Sequence, residues 1–341
     1  MKSHAIFVLG SLLFLASVLL PSPSGATSGG ETAPLPRHTI SLSFDLPGGT
    51  ALGTSEIILP AGMPLVLRCG PLQVTGGVLE EDGATPLLVR TNSNNNIRLP
   101  GADRTRRLYI SWRLEADNTP GSDNLISRRG ITLAGFWHPL PEQDMTYTVE
   151  ALLPEGFTGI TEASEIREEK EGTMVRFRSS FPHPLPSIHF VAGPYQVRSR
   201  RVSGLTLFTY FFPEDSALAE GYLDKAARYI HRYEQLIGPF PYRRYSIVEN
   251  RLPTGYGMPA FTLLGQAVVR LPFIKDTSLG HEILHSWFGN SIFLNPAGGN
   301  WCEGLTTYLA DQSYARDRAR ERLTARNSFC ATTPMSMTTT P

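Results

Sequence analysis

An α+β fold, strands first and helices last, is what this 341-residue sequence predicts. Three observations carry that expectation. From His38 to about Val197, apolar and polar residues alternate, the period of a strand with one buried face. Helical spacing enters only beyond residue 205, where Leu223, Ala226, Ala227, Ile230 and Ile237 recur along one face. Strands grouped ahead of helices suit an antiparallel β domain followed by the order strand, helix, strand, strand, helix, helix.

The elements follow in order. Ile40, Leu42, Phe44 and Leu46 alternate with Thr39, Ser41, Ser43 and Asp45, and Leu108, Ile110, Trp112 and Leu114 repeat the pattern, as do Tyr147, Val149 and Ala151. Turn chemistry separates these runs at Pro47-Gly48-Gly49, Asp82-Gly83, Asn92 to Asn96 and Pro154-Glu155-Gly156. Such a stretch builds an antiparallel sheet or sandwich. Next come a strand over Leu205 to Phe212 and a helix over Ser216 to Ile237, stopped by Gly238-Pro239. Short strands over Tyr245 to Val248 and Phe261 to Leu264 precede two more helices. Asp276-Thr277-Ser278 offers capping residues to the first, and Glu303 opens the second, which runs to about Leu323. The clusters Arg104 to Arg107 and Arg198 to Arg201 suit solvated strand ends or loops, and Glu165 to Glu171 an exposed turn.

Composition sets outer bounds. Apolar content of 41% suffices for packed cores, and 31 basic residues balance 31 acidic ones, so nothing points to a nucleic-acid partner or an anionic membrane surface. Lys2, an apolar run from Ala5 to Leu20 and the small residues Ser24-Gly25-Ala26 read as a cleaved signal peptide over 1–26, with an uncleaved anchor as the alternative. Either places the body of the protein outside the cytoplasm, secreted or periplasmic. The expected division is then a β-rich domain over 27–197, a catalytic domain over 198–330 and a low-complexity tail over 331–341. Cys69, Cys302 and Cys330 are too few for a disulfide framework, and which pair could close stays open.

The chemistry concentrates in His281-Glu282-Ile283-Leu284-His285. On a helix, residues four apart lie about 40° apart around the axis, so both imidazoles project from one face and can grip one Zn²⁺. A hydrolytic zinc site uses three protein ligands, and Glu303 on the following helix is placed to be the third. Glu282, between the two ligands, is placed as general base. The adjacent Cys302 is the competing ligand, 100° around the helix from Glu303, and Glu303 is preferred. A capping glutamate is the plain alternative for Glu303. His138, His183 and His189 are expected to be ordinary packed or surface histidines.

These residues carry a resemblance. His281 to Asn290, HEILHSWFGN, resembles the H-E-x-x-H-x-W-F-G-N signature of the gluzincin zinc aminopeptidases typified by aminopeptidase N. Trp301 to Tyr308, WCEGLTTY, is similar to that family's W-x-N-E-G-F-x-x-Y segment, and Tyr229 to Pro241 to its Y-E-x-x-F-G-x-Y-P helix end. The resemblance implies one zinc ion, a peptide substrate, and a thermolysin-like α+β catalytic core, truncated on its carboxyl side, behind an amino-terminal β-sandwich-like domain. It also places a substrate-binding segment at Gly257, Met258, Pro259 and Ala260, where the family's G-x-M-E-N glutamate binds a free amino group. Pro259 stands in place of that glutamate. Two further departures concern the metal's surroundings. Seventeen residues separate His285 from Glu303 where the family has eighteen, and Ala310 stands where a histidine-supporting glutamate is usual, with Asp311 beside it. The family's transition-state tyrosine would fall beyond Pro341.

Two function classes follow. One is a zinc-dependent metallopeptidase, aminopeptidase-like but with open end specificity. The other is a non-catalytic remnant that holds zinc or a peptide. Side-chain preference and oligomeric state are not legible in the sequence.

Overall fold

The computed structural model describes residues 34–119, 121–295, 299–317 and 319. The expected signal segment, Cys330, the tail, and the end of the last helix lie outside the described residues.

The β-rich part is built on an eight-stranded sheet. Its strands lie in the order Glu165–Glu171, Met174–Leu185, Met145–Pro154, Arg37–Asp45, Thr50–Leu59, Arg106–Glu115, Gln73–Glu81, Leu87–Leu88. Its pairings are antiparallel except one: Arg37–Asp45 runs parallel to Met145–Pro154, with Ile40 opposite Val149. The alternation read from sequence is the burial pattern seen. Ile40, Leu42, Leu108, Ile110, Trp112, Leu114, Tyr147, Val149 and Ala151 all point into one core. A three-stranded sheet contributes Leu65, Leu67 and Ile97 to this core, and a four-stranded sheet contributes Ile126, Ile131, Leu133 and Phe190. Each such side chain taken fully from water contributes about 1.5–3 kcal/mol before ordering costs. The Pro47-Gly48-Gly49 turn needs its last glycine, because φ is +64° there and a Cβ would lie 2.6 Å from Asn118 Nδ2.

Two local expectations are corrected. Glu165–Glu171 is exposed as expected but is a strand, the charged edge of the large sheet, and not a turn. Arg106 is not solvated: it is 3% exposed, its guanidinium donating to the carbonyls of Met63 (3.2 Å) and Pro100 (2.5 Å), with Glu81 at 3.8 Å. Its neighbour Arg107 stays outside, as strand alternation requires.

The second part holds a five-stranded mixed sheet in the order Gln196–Val202, Leu205–Phe211, Arg244–Asn250, Phe261–Gly265, Gly255–Met258. Helix α1 (Ala219–Leu236) follows a 3₁₀ turn over Pro213–Leu218, so the α-helix begins three residues later than expected. It buries Tyr222, Leu223, Ala226, Ile230 and Tyr233 along one stripe. It ends where Gly238, at φ +129°, leaves the helical region. After it come α2 (Gln266–Val269), α3 (Ser278–Leu284) and α4 (Trp301–Thr307). A third apolar cluster joins the two parts: Ile160 and Val191 meet Tyr210, Val248, Met258, Phe261 and Leu263. That contact fixes the Gly255–Met258 edge strand against the β-rich part.

Candidate metal centre

Helix α3 is short and held by packing. Leu279, Gly280, Ile283 and Leu284 are buried against the core that contains α1, leaving His281 and His285 on the opposite face. Thr277 does occupy the N-cap position, but its hydroxyl donates to the Phe273 carbonyl (2.8 Å) and makes no cap bond to α3. The chain leaves the helix after His285 and turns at Gly289, where φ is +102°.

The two imidazole Nε2 atoms lie 3.3 Å apart, and the Glu303 carboxylate from the first turn of α4 lies 3.4 Å from His281 Nε2 and 3.3 Å from His285 Nε2. Donor atoms bonded at about 2.0–2.1 Å around a tetrahedral zinc would be separated by about 3.3–3.4 Å, so the spacing suits one small cation. The ring tautomers suit it too. His281 Nδ1 is 3.2 Å from Asp311 Oδ2, and His285 Nδ1 is 3.1 Å from the Phe288 carbonyl. With Nδ1 hydrogen-bonded behind each ring, both Nε2 lone pairs face the convergence point. His281, His285 and Glu303 are the one group of three with mutually close donor atoms among the described residues.

Electrostatics say the same. Burial opposes charge on both rings, yet hydrogen bonds to Asp311 and Glu303 push His281 up to about 9. Cys302 and Glu303 act similarly on His285, raising it to about 10. The two rings hold the Glu303 carboxyl far below the usual carboxylate range. A pocket that recruits protons to balance its carboxylates is one that a divalent cation can take over.

Glu282 is 7% exposed, and burial drives its carboxyl up to about 7 despite the nearby histidines, with Glu303 and Asp311 adding to the rise. Its side chain packs against Gly257, where any Cβ would lie 2.8 Å from Glu282 Oε2. Glu282 and the three cation-facing residues line one cavity of about 240 Å³. Of the segment expected to bind substrate, Gly257 lines that cavity; Met258, Pro259 and Ala260 do not. Met258 turns into the apolar cluster between the two parts, while Pro259 and Ala260 form the buried hairpin turn, Ala260 at φ +63°.

Cys302 does not face the cation position. Its Sγ lies behind His285, 3.5 Å from Nδ1 and 3.1 Å from the Phe288 carbonyl it donates to. Cys69 and Cys302 are both free thiols. Tyr308 is half exposed and faces Arg316, away from the cavity. His138 and His189 are packed by hydrogen bonds to Ser187 and Glu162, and His183 is exposed. Sequence reasoning missed Tyr256, Asn290, Asn300 and Leu294, which also line the cavity. Asn290 could have been found, since it closes the HEILHSWFGN run; its Nδ2 donates to the Gly257 carbonyl (3.2 Å) and ties the edge strand to the cavity floor.

No family model matches the chain. Over 188 residues, 49% of this chain, it is 28% identical to aminopeptidase B of Mus musculus, and over 179 residues it is 27% identical to aminopeptidase RNPEPL1 of Homo sapiens. The chain spans about a quarter of the length of these relatives, 26% and 23%. In structure it is similar to an M1 zinc metallopeptidase from Deinococcus radiodurans, with TM-score 0.63 at 17% identity over 88% of this chain and 75% of that one. The chain is thus similar in sequence to these aminopeptidases and shares the fold of the solved M1 zinc metallopeptidase. A two-domain M1 zinc metallopeptidase solved with L-arginine bound shares the fold at TM-score 0.58 and 17% identity, over 76% of this chain and 65% of that one. The sheet-rich first part and the mixed second part are thus the architecture that the sequence predicted.

Proposed function

We propose that this chain is a zinc-dependent peptidase, aminopeptidase-like, with His281, His285 and Glu303 as zinc ligands and Glu282 as general base. The convergence of the three donor groups within hydrogen-bond range of one another, beside a buried Glu282, is the observation that carries the proposal. Bound zinc would supply Lewis acidity and a water acidified toward a pKa of about 7. Glu282 takes the proton of the water that attacks the peptide carbonyl and returns it to the leaving amine. Burial raises the Glu282 carboxyl above the ordinary carboxylate range, the direction that favours its taking and holding a proton. Among the described residues the edge strand Gly255–Met258 pairs with one other strand, Phe261–Gly265, and its cavity-facing residues offer backbone groups to an extended peptide. The relatives named aminopeptidases, and the one solved with an amino acid bound, support cleavage near an amino terminus.

The second reading, a zinc- or peptide-holding protein without turnover, is favoured by Pro259 standing in place of the amine-binding glutamate. Hydrolysis of aminoacyl and internally quenched peptides by the native protein and by Glu282→Gln separates the two. The substitution should lower the rate by roughly two to four orders of magnitude with zinc content unchanged. Equal rates from the two proteins would refute the enzyme.

A further inference from the structure

Strand alternation divides the edge strand Gly255–Met258 between two surroundings. Tyr256 and Met258 pack into the apolar cluster that joins the two parts, while Gly257 faces Glu282 and the cavity. The Gly257 carbonyl is already engaged, because Asn290 Nδ2 donates to it at 3.2 Å. A carbonyl can only accept, so this contact fixes which end of the Asn290 amide it meets and leaves Oδ1 as the unused end. Nothing among the described residues donates to that oxygen, and Asn290 lines the cavity. The backbone of Asn290 is locked as well: its amide donates to the His285 carbonyl (3.2 Å), and its carbonyl accepts from the Tyr242 hydroxyl (2.6 Å). Tyr242 packs in turn against Phe181 of the β-rich part and against Phe240, with ring centroids 6.5 and 5.9 Å away. The other side-chain amide of the cavity wall, Asn300, is exposed, and no hydrogen bond to it is found among the described residues.

Building on the peptidase reading above, we propose that Asn290 Oδ1 is a substrate-binding acceptor, taking one main-chain N–H of the extended peptide that lies beside the edge strand. Every peptide N–H brought out of water into the cavity needs an acceptor, or its desolvation is uncompensated. The Gly257 carbonyl is taken by Asn290 itself, Glu303 is engaged with both imidazoles, and Glu282 is kept for proton transfer. Asn290 therefore hands the strand's acceptor on: its NH₂ consumes the Gly257 carbonyl, and its own oxygen takes that role one side chain further out. Being neutral and fixed at its other end, that oxygen reads the peptide backbone and not a side chain or a charge. A substrate with an ester oxygen in place of that N–H would lose the contact while keeping its shape.

Calorimetric titration of zinc-loaded Glu282→Gln protein tests this without turnover, using trileucine and the two analogues in which an ester oxygen replaces one peptide N–H. One of the two esters should bind more weakly than trileucine by roughly three- to tenfold, the size of one lost hydrogen bond. Adding Asn290→Ala should bring that ratio to about one, whatever the absolute affinities. If Asn290→Ala does not fold, as judged by circular dichroism and zinc content, Tyr242→Phe serves instead. It loosens the Asn290 backbone without touching the side-chain amide, and the ratio should fall part of the way. The assignment is overturned if trileucine does not bind, if neither ester binds more weakly, or if the ratio survives in the variant. Hydrolysis by the native protein is scored separately. Turnover with an unaltered ratio removes Asn290 and keeps the peptidase reading; a ratio lost with Asn290, beside native protein that hydrolyses nothing, keeps Asn290 and removes the peptidase.

Discussion

Two pairs of buried histidines in this chain meet opposite surroundings. In the β-rich core, His38 and His138 stack edge to face at 5.3 Å, flanked by Trp137 and Tyr147, with hydroxyls and a carbonyl for partners. Burial lowers both, His38 well below its ordinary value and His138 to about 4, so each ring stays neutral and serves packing. At the candidate metal centre, His281 and His285 are also largely buried, yet carboxylates on Glu303 and Asp311 reverse the outcome. Burial alone therefore does not mark a functional histidine. Two rings whose Nε2 atoms converge on one shared carboxylate, as at Glu303, set this pair apart.

Removing the carboxylate should break this contrast most completely. Glu303→Ala leaves two imidazoles and no anionic ligand, and zinc affinity measured against a chelator should fall by more than the roughly 10–100-fold that accompanies loss of a supporting residue. Retention of native affinity would show that Glu303 does not bind the metal.

The core pair sharpens the contrast from the other side. Their folded-state values lie below the ordinary value of about 6.5, so the unfolded chain binds more protons between the two. The stability they support is complete above pH 6.5 and is lost as pH falls toward 4. For His138 the loss is on the order of 3 kcal/mol. His189, which lowers His138 further, and its partner Glu162 lie close by. Urea midpoints of the metal-free protein at pH 7 and pH 4.5 measure the effect, and a His38→Leu/His138→Leu variant should lose most of it. An unchanged pH slope in that variant would assign the effect elsewhere.

Much of this arrangement was legible in sequence because it rests on short-range periodicity. The i, i+4 spacing set His281 and His285 on one face, and period two identified the strands of the β core. What was missed depended on partners far away in the chain. Arg106 was read as solvated because the carbonyls of Met63 and Pro100 that receive it are 43 and 6 positions away. Tyr256 gave no signal because its partner Asp123 lies 133 positions upstream in another sheet. The parallel pairing of Arg37–Asp45 with Met145–Pro154 has no local signature either.

Asp311 shows a departure in sequence absorbed by the backbone. Seven residues past Glu303 on a regular helix is Ala310, which is fully buried and has no polar group. Instead, the helix widens into a π turn over Tyr308–Gln312, which accommodates one extra residue and brings Asp311 to His281 Nδ1 at 3.2 Å. Asp311→Asn should keep the hydrogen bond but remove the charge that holds the His281 ring and raises its basicity. Zinc affinity should fall roughly tenfold, the lower end of the range for such supporting groups, with the fold unchanged by circular dichroism. Asp311→Ala, losing orientation as well as charge, should fall further toward a hundredfold. If both variants bind zinc as tightly as the native protein, the π turn serves packing of Ala310 and Ser313 rather than the orientation of His281, and the resemblance between the two histidines' supports ends at Phe288.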